Sequence, residues 1–317
     1  MKSLFLRLRM LCVIFISLLI YILLHIRLHR DCVQSNISFS TKLNRFCYKD
    51  DDSVILFMDF TPNNDSWHWM ERCSFITAAL HNNDSGICIL TVRPHLIDPD
   101  SLAPARFDNI EIAELNIESI LEDTPGYDWY VEYVLNASRR SPYFLYELSD
   151  VVRYAYLFKY GGRYLDTDTW TLRRFGHFGN AIVRQDNTSF ANGIMFFRKR
   201  HPFVKSILHN IARHYRPKVW GILGPSLIGK IHQSMEIDPA TYSILPAKSF
   251  LPVHWTEYGL LLNPKKEQVV RNKSNGSYAV HLFAMQLRAS NNYKKKPLNT
   301  SFAGMIISEF CENDLVL

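Results

Sequence analysis

No two of the six cysteines stand in a C-x-x-C spacing, which excludes a zinc knuckle and a paired-thiol redox centre. The first strand-rich stretch also lacks G-x-G-x-x-G and G-x-x-x-x-G-K-[ST], so neither the dinucleotide fingerprint nor the P-loop applies. No internal repeat is visible, which removes repeat architectures. Excess charge is nearly missing as well. The formal net charge is +6, but Lys2, Arg7, Arg9, Arg27 and Arg30 face only Asp31 in the first 31 residues, leaving 31 basic and 29 acidic side chains beyond. A nucleic-acid partner therefore has no electrostatic support, and Lys294-Lys295-Lys296 reads as a solvated loop.

Charge is also absent from MLCVIFISLLIYILL, Met10 to Leu24, which Arg9 and Arg27 flank. Such a run is long enough to span a thin membrane with its flanking cations snorkelling. The residues that follow, HIRLHRDC, offer no small-residue cleavage site, so the segment reads as an uncleaved signal anchor rather than a removed leader. Lys2, Arg7 and Arg9 favour a cytoplasmic N-terminus. The expected organisation is a tail (1–9), one transmembrane helix (10–28), a stem (29–52) and a folded luminal domain (53–317).

What is present supports that compartment. Sequons begin at Asn36, Asn64, Asn83, Asn136, Asn187, Asn272, Asn275 and Asn299, where composition predicts about two or three by chance. Cys32, Cys47, Cys73, Cys88 and Cys311 would then face an oxidising lumen, where one or two disulfides are expected and at least one cysteine is left unpaired or bonded to another chain. At 47% hydrophobic over 317 residues the chain can bury a large core. VILFMDF (Val54 to Phe60) and GICILTV (Gly86 to Val92) are apolar runs of strand length, NIEIAEL (Asn109 to Leu115) alternates, and WHWMERCSFITAALH (Trp67 to His81) has helical length and spacing. This order predicts an α/β domain with a mixed, mostly parallel central sheet.

The densest stretch is SDVVRYAYLFKYGGRYLDTDTW, Ser149 to Trp170. Ser149 reads as an N-cap, Asp150 as a first-turn anion and Gly161 as a stop, giving a helix over 150–160 with Asp150 and Arg153 on one face. Asp166 and Asp168, at i and i+2 of an expected strand, would point to one side about 7 Å apart. Two carboxylates so placed repel unless a cation lies between them, and a hard divalent ion, Mn²⁺ or Mg²⁺, completed by water and phosphate oxygens, is the natural partner. An Asp-rich turn is the plainer alternative.

With its context, this stretch resembles the S-D-x-x-R…G-G-x-Y-x-D-x-D signature of metal-dependent glycosyltransferases with the GT-A, Rossmann-like nucleotide-sugar-binding fold, and in particular the α-1,4-galactosyltransferase and α-1,4-N-acetylglucosaminyltransferase family (glycosyltransferase family 32). DTPGYDWY (123–130), NGIMFFRKRHPFV (192–204), WGILGPSL (220–227), LPAKSFLPVHW (245–255) and YAVH (278–281) match family segments in order. The resemblance implies that Asp166 and Asp168 carry the D-x-D metal function, that Asp150, Arg153 and Asn192 contact the donor sugar, and that His281 completes the metal site. It implies a retaining, Mn²⁺-dependent transfer from UDP-galactose or a UDP-N-acetylhexosamine to a lactosylceramide-like glycolipid or other glycan in the Golgi lumen, with self-association left open. One departure stands out: the family's H-x-W-N and following lysine read HLFAMQLRA here, with Phe283 and Ala284 in the Trp and Asn places and Arg288 as the nearest cation. That departure keeps a second reading in play, an inactive member serving as a Golgi binding partner or chaperone of another transferase. A dehalogenase-type phosphatase also begins on D-x-D, but its motif does not lie mid-chain behind a glycine pair.

Overall fold

The computed structural model describes residues 45–61, 67–94, 107–136, 141–290, 293 and 296–311. The anchor segment 10–28, most of the stem and the Asn36 and Asn64 sequons lie outside the described residues, as do Cys32, Lys294 and Lys295. Among the described residues no helix is long and apolar enough to cross a membrane.

Among the described residues nine strands form two sheets: β1 (Ile55–Asp59), β2 (Ile87–Thr91), β3 (Ile110–Glu114), β4 (Gly162–Leu165), β5 (Thr169–Thr171), β6 (Ala181–Arg184), β7 (Phe190–Phe197), β8 (Ser243–Leu245) and β9 (Ala279–His281). The main sheet runs β3-β2-β1-β4-β7-β6-β8, and β5 pairs with β9 alone. In the main sheet pairs β1–β2, β2–β3, β1–β4 and β6–β8 are parallel and β7 runs against its neighbours, while β5 and β9 pair antiparallel. The mixed, mostly parallel α/β sheet expected from the apolar runs is thus what forms. Strand alternation sorts the buried residues onto two faces: Ile55, Phe57, Ile87 and Ile89 belong to one core, and Leu56, Met58, Cys88 and Leu90 to the other. Helix α1 (Trp69–His81) contributes Met70, Phe75 and Ile76 to the first core, while α2 (Phe144–Tyr160), α3 (Pro202–His214) and α4 (Pro225–Ser234) supply Val151, Phe203 and Leu227 to the second.

Three local expectations need correction. Helix α2 starts at Phe144, not Asp150; Ser149 lies inside it, where its hydroxyl accepts from Arg153 rather than capping the helix. The folded body takes in residues assigned to the stem, because Cys47 is fully buried and bonded to Cys88, and Tyr48 packs on Tyr156 and Tyr160. Asp166 and Asp168 do not share one strand, as described below. A second disulfide joins Cys73 of α1 to Cys311, and the six described sequon asparagines are all exposed.

The Cys73–Cys311 bond closes a 238-residue separation, and a cross-link of that span stabilises by about 2–5 kcal/mol through the unfolded chain. Cys311→Ser should therefore lower the thermal midpoint by several degrees, read by circular dichroism, with Cys47–Cys88 still oxidised by peptide mapping.

Candidate active site

In the main sheet the chain builds outward from β1 to β3 and then returns to β4 on the other side of β1. Crevices outside the carboxyl ends of strands at such a reversal are where open α/β sheets bind ligands. The D-x-D tripeptide lies there, immediately after β4. Asp166 continues the β4 ladder through its N–H to Gly193 O (2.8 Å), then the chain turns, Thr169 N donating to Asp166 O (3.0 Å). β5 leaves for the small sheet. Asp168, just before β5, has its carbonyl bonded by Leu282 N (2.9 Å). The two aspartates therefore stand on a turn between two sheets instead of on successive same-side positions of one strand. Thr167 stays between them, its carbonyl accepting from Ser74 Oγ (2.7 Å).

The register Thr169↔His281 brings the end of β9 beside this turn. His281 Nε2 lies 3.1 Å from Asp168 Oδ1 and 3.6 Å from Asp166 Oδ2. Ligand atoms of Asp166, Asp168 and His281 fall within 4.8 Å of one another. Burial opposes charge on His281, but the Asp168 and Asp166 carboxylates outweigh it and push its pKa up to about 10. Phe283 N, 3.2 Å from Nδ1, favours instead the neutral ring with its proton on Nε2. In both states an Nε2–H faces the paired carboxylates.

Helix α2 supplies the other half of the site. Arg153, 5% exposed, donates through one guanidinium nitrogen to Asp166 Oδ1 (2.9 Å) and Asn192 O (2.9 Å), and through the other to Ser149 Oγ (2.9 Å). It also lies 3.2 Å from Asp150 Oδ1 and 4.4 Å above the Tyr164 ring. Tyr164 Oη donates to Asp166 Oδ1 (2.8 Å), and Asn192 Nδ2 donates to Asp150 Oδ1 (2.6 Å). Burial would raise Asp166, yet Arg153, His281 and Tyr164 hold it well below the usual carboxylate range. Asp150 behaves oppositely: burial pushes it up to about 6 despite Arg153 and the Asn192 amide.

All six candidate residues, Asp150, Arg153, Asp166, Asp168, Asn192 and His281, line one cavity of about 750 Å³. Two glycines escaped the sequence reading. A Cβ on Gly193 would come 2.3 Å from Asp166 Oδ2, and one on Gly224 would come 2.8–3.0 Å from Asn192 and Asp150 side-chain atoms. NG in NGIMFF and GP in WGILGPSL were the available signals, but Asn-Gly and Gly-Pro mark turns far more often than close approach to a carboxylate. The departing segment also has a structural consequence. Phe283 adopts a left-handed φ of 56°, and Ala284 N donates to Asp168 Oδ2 (2.7 Å). Arg288 lines the cavity, with its guanidinium on Tyr293 Oη (2.9 Å) and 3.6 Å from Glu71.

Comparison with known proteins places this geometry. Residues 37–189 match the glycosyltransferase sugar-binding region containing the DXD motif, and residues 196–314 match the alpha 1,4-glycosyltransferase conserved region. Together the two regions, one of DXD-containing and one of alpha 1,4-glycosyltransferases, match most of the chain. It is 29% identical to mouse lactosylceramide 4-alpha-galactosyltransferase over 72% of this chain and 67% of that one. Human alpha-1,4-N-acetylglucosaminyltransferase is 30% identical over 56% of this chain and 53% of its own length, and human lactosylceramide 4-alpha-galactosyltransferase 28% over 56% and 52%. The chain thus spans about half to two thirds of the length of these three relatives. Among solved structures, PaToxG glycosyltransferase aligns with a TM-score of 0.46 and 17% identity over 81% of this chain and 87% of that one.

Because Asp150 has a folded pKa of about 6 against roughly 3.9 unfolded, its ionisation disfavours the fold, with no cost below the unfolded value and the full cost above about 6. Asp150→Asn should therefore match the parent in stability at pH 4 and exceed it by up to about 2–3 kcal/mol at pH 8, as read from thermal midpoints across that range.

Proposed function

We propose that this chain is a retaining hexosyltransferase with a GT-A-type domain. It moves galactose or an N-acetylhexosamine from a UDP-sugar, in α-1,4 linkage, to the terminal galactose or N-acetylhexosamine of a glycolipid or glycan. The observation that carries this reading is the meeting of Asp166, Asp168 and His281 at the carboxyl end of β4, in one cavity with the Asp150–Asn192–Arg153 group. The names and matched regions of the relatives favour the same chemistry. The anchor at 10–28 and the exposed sequons favour a Golgi membrane setting with the catalytic domain in the lumen.

The donor set fits a hard divalent ion, with Mn²⁺ the proposed one. Two carboxylates and one imidazole converge, Asp168 is 8% exposed, and His281 Nε2 lies 3.1 Å from Asp168 Oδ1 and 3.6 Å from Asp166 Oδ2. Asp166 and Asp168 would hold the ion. His281 would join as a ligand in the tautomer with its proton on Nδ1, which entails giving up the Phe283 hydrogen bond. When bound, the ion neutralises charge developing on the leaving diphosphate.

The protein's own groups do the positioning. Arg153 fixes Asp166 and, through Asn192 O, the end of β7, so it orients the site from behind. Asp150 and Asn192, already joined by a hydrogen bond, present the polar surface for donor-sugar hydroxyls. Gly193 and Gly224 keep side chains out of the space these carboxylates need. The acceptor hydroxyl then has to be brought to the same face from which the diphosphate departs, and no carboxylate of the chain is assigned as a nucleophile.

Asp168→Ala should abolish UDP-sugar turnover and Mn²⁺-dependent UDP binding while circular dichroism stays unchanged; full turnover in that variant would refute the site. Gly193→Ala should weaken Mn²⁺ binding at least tenfold, measured calorimetrically, by displacing Asp166.

A further inference from the structure

Helix α3 ends at His214, and after Tyr215 the chain runs Arg216-Pro217-Lys218-Val219-Trp220, every residue of it exposed. Lys218 and Gly221 take left-handed φ values of 72° and 67° on either side of Val219 and Trp220. A lysine holds that conformation at a cost, so its surroundings must fix it. Here Lys218 N donates to Ser141 Oγ (3.3 Å), just before α2. The loop is thereby pinned beside the first turn of α2, where Trp220 packs edge-on to Tyr143 (5.3 Å) and Tyr146 (4.9 Å). Leu145, Tyr146, Val219 and Trp220 nevertheless remain 41%, 45%, 46% and 48% exposed. Large apolar side chains gathered in water on two touching segments mark a surface that something covers.

Positive charge lies along the same loop. Arg213, Arg216, Lys218 and Lys230 are all exposed, and among the described residues none of the four pairs with a carboxylate. Arg216 turns its guanidinium to the Arg213 and Tyr215 carbonyls (3.1 and 2.7 Å), and Lys230 Nζ lies 3.4 Å from His214 Nδ1. Partial burial lowers the pKa of His214, and Lys230, Arg213 and Arg216 lower it further against Glu236. Three cations thus act on one spot at the end of α3.

An indole, a phenol and two branched aliphatic side chains bordered by cations match the chemistry of a phospholipid surface, where rings sit at headgroup level and Lys and Arg meet phosphates. A sugar would stack on the rings, but Val219 and Leu145 offer it no hydrogen bond. We infer that the 216–220 loop and the first turn of α2 form a membrane-docking face, whose apolar side chains enter the headgroup layer of a phospholipid bilayer while Arg213, Arg216, Lys218 and Lys230 hold its phosphates. Tyr143, Tyr146 and Trp220 also line the active-site cavity, so the docked face turns the rim of that cavity toward the lipid. Docking requires neither metal nor donor sugar.

The test is tryptophan fluorescence on the full chain reconstituted in vesicles of dibrominated phosphatidylcholine, without nucleotide, metal or sugar, since bromine quenches an indole that enters the lipid surface. Quenching should be deeper in the parent than in Trp220→Phe, and adding phosphatidylserine should widen that difference. In the phosphatidylserine vesicles Arg216→Gln and Lys218→Gln should each lower the ratio of docked to undocked chain about fivefold, the order expected for one cation at an acidic lipid surface, and high salt should lower it too. Equal quenching in the parent and Trp220→Phe overturns the docking face, and so does a difference that Arg216→Gln and Lys218→Gln leave untouched. A dimer in detergent that Trp220→Phe takes apart would assign the face to a second copy of the chain and overturn it as well. None of these results bears on the hexosyltransferase reading, which turnover by Asp168→Ala tests separately.

Discussion

One buried guanidinium organises the centre of this molecule. Arg153 reaches from α2 to Asp166 on the turn after β4, to the backbone of β7 at Asn192 and to Asp150 on its own helix. At 5% exposure it would be expensive in isolation, and the Asp166 carboxylate and the carbonyls around it offset that cost. The reciprocal effect is as important. Asp166 stays ionised in a buried place because Arg153 is there, and an ionised Asp166 is what a divalent ion needs. Asp150 shows the other side of the same arrangement: with Arg153 already shared, its carboxylate is underfed with positive charge, and burial lifts its pKa. One cation thus keeps Asp166 ionised, while at Asp150 burial outweighs the same cation.

Much of this was legible in the chain, for identifiable reasons. The apolar runs VILFMDF and GICILTV form parallel strands buried on both faces, as near-continuous hydrophobicity requires. S-D-x-x-R places Asp150 and Arg153 on one helical face wherever the helix begins, so their pairing survived the misplaced N-terminus of α2. That boundary was misread because Ser149 followed by Asp150 imitates a cap, while the true start at Phe144 has no capping side chain. The turn inside D-x-D was hidden because Thr and Trp, both good strand formers, surround the aspartates. Only the tertiary pairing of β5 with β9 shows that the chain changes sheets there.

The glycines show a different limit. Gly193 and Gly224 are set by the absence of a side chain next to Asp166, Asp150 and Asn192, and contacts between segments tens of residues apart leave no local trace. The same holds for residues 45–48. They lie in a stretch of mixed polarity without periodicity that reads as a stem, but a disulfide to β2 and aromatic contacts with α2 draw them into the fold.

The division of the carboxylates between two sheets has a mechanical corollary. Asp166 rides on the large sheet, whereas Asp168 and His281 ride on the two-stranded one, so the bite of the chelating trio depends on how those two frames sit against each other. An ion held by all three would act as a rivet between them, and its grip would depend on the small sheet keeping its place against the large one.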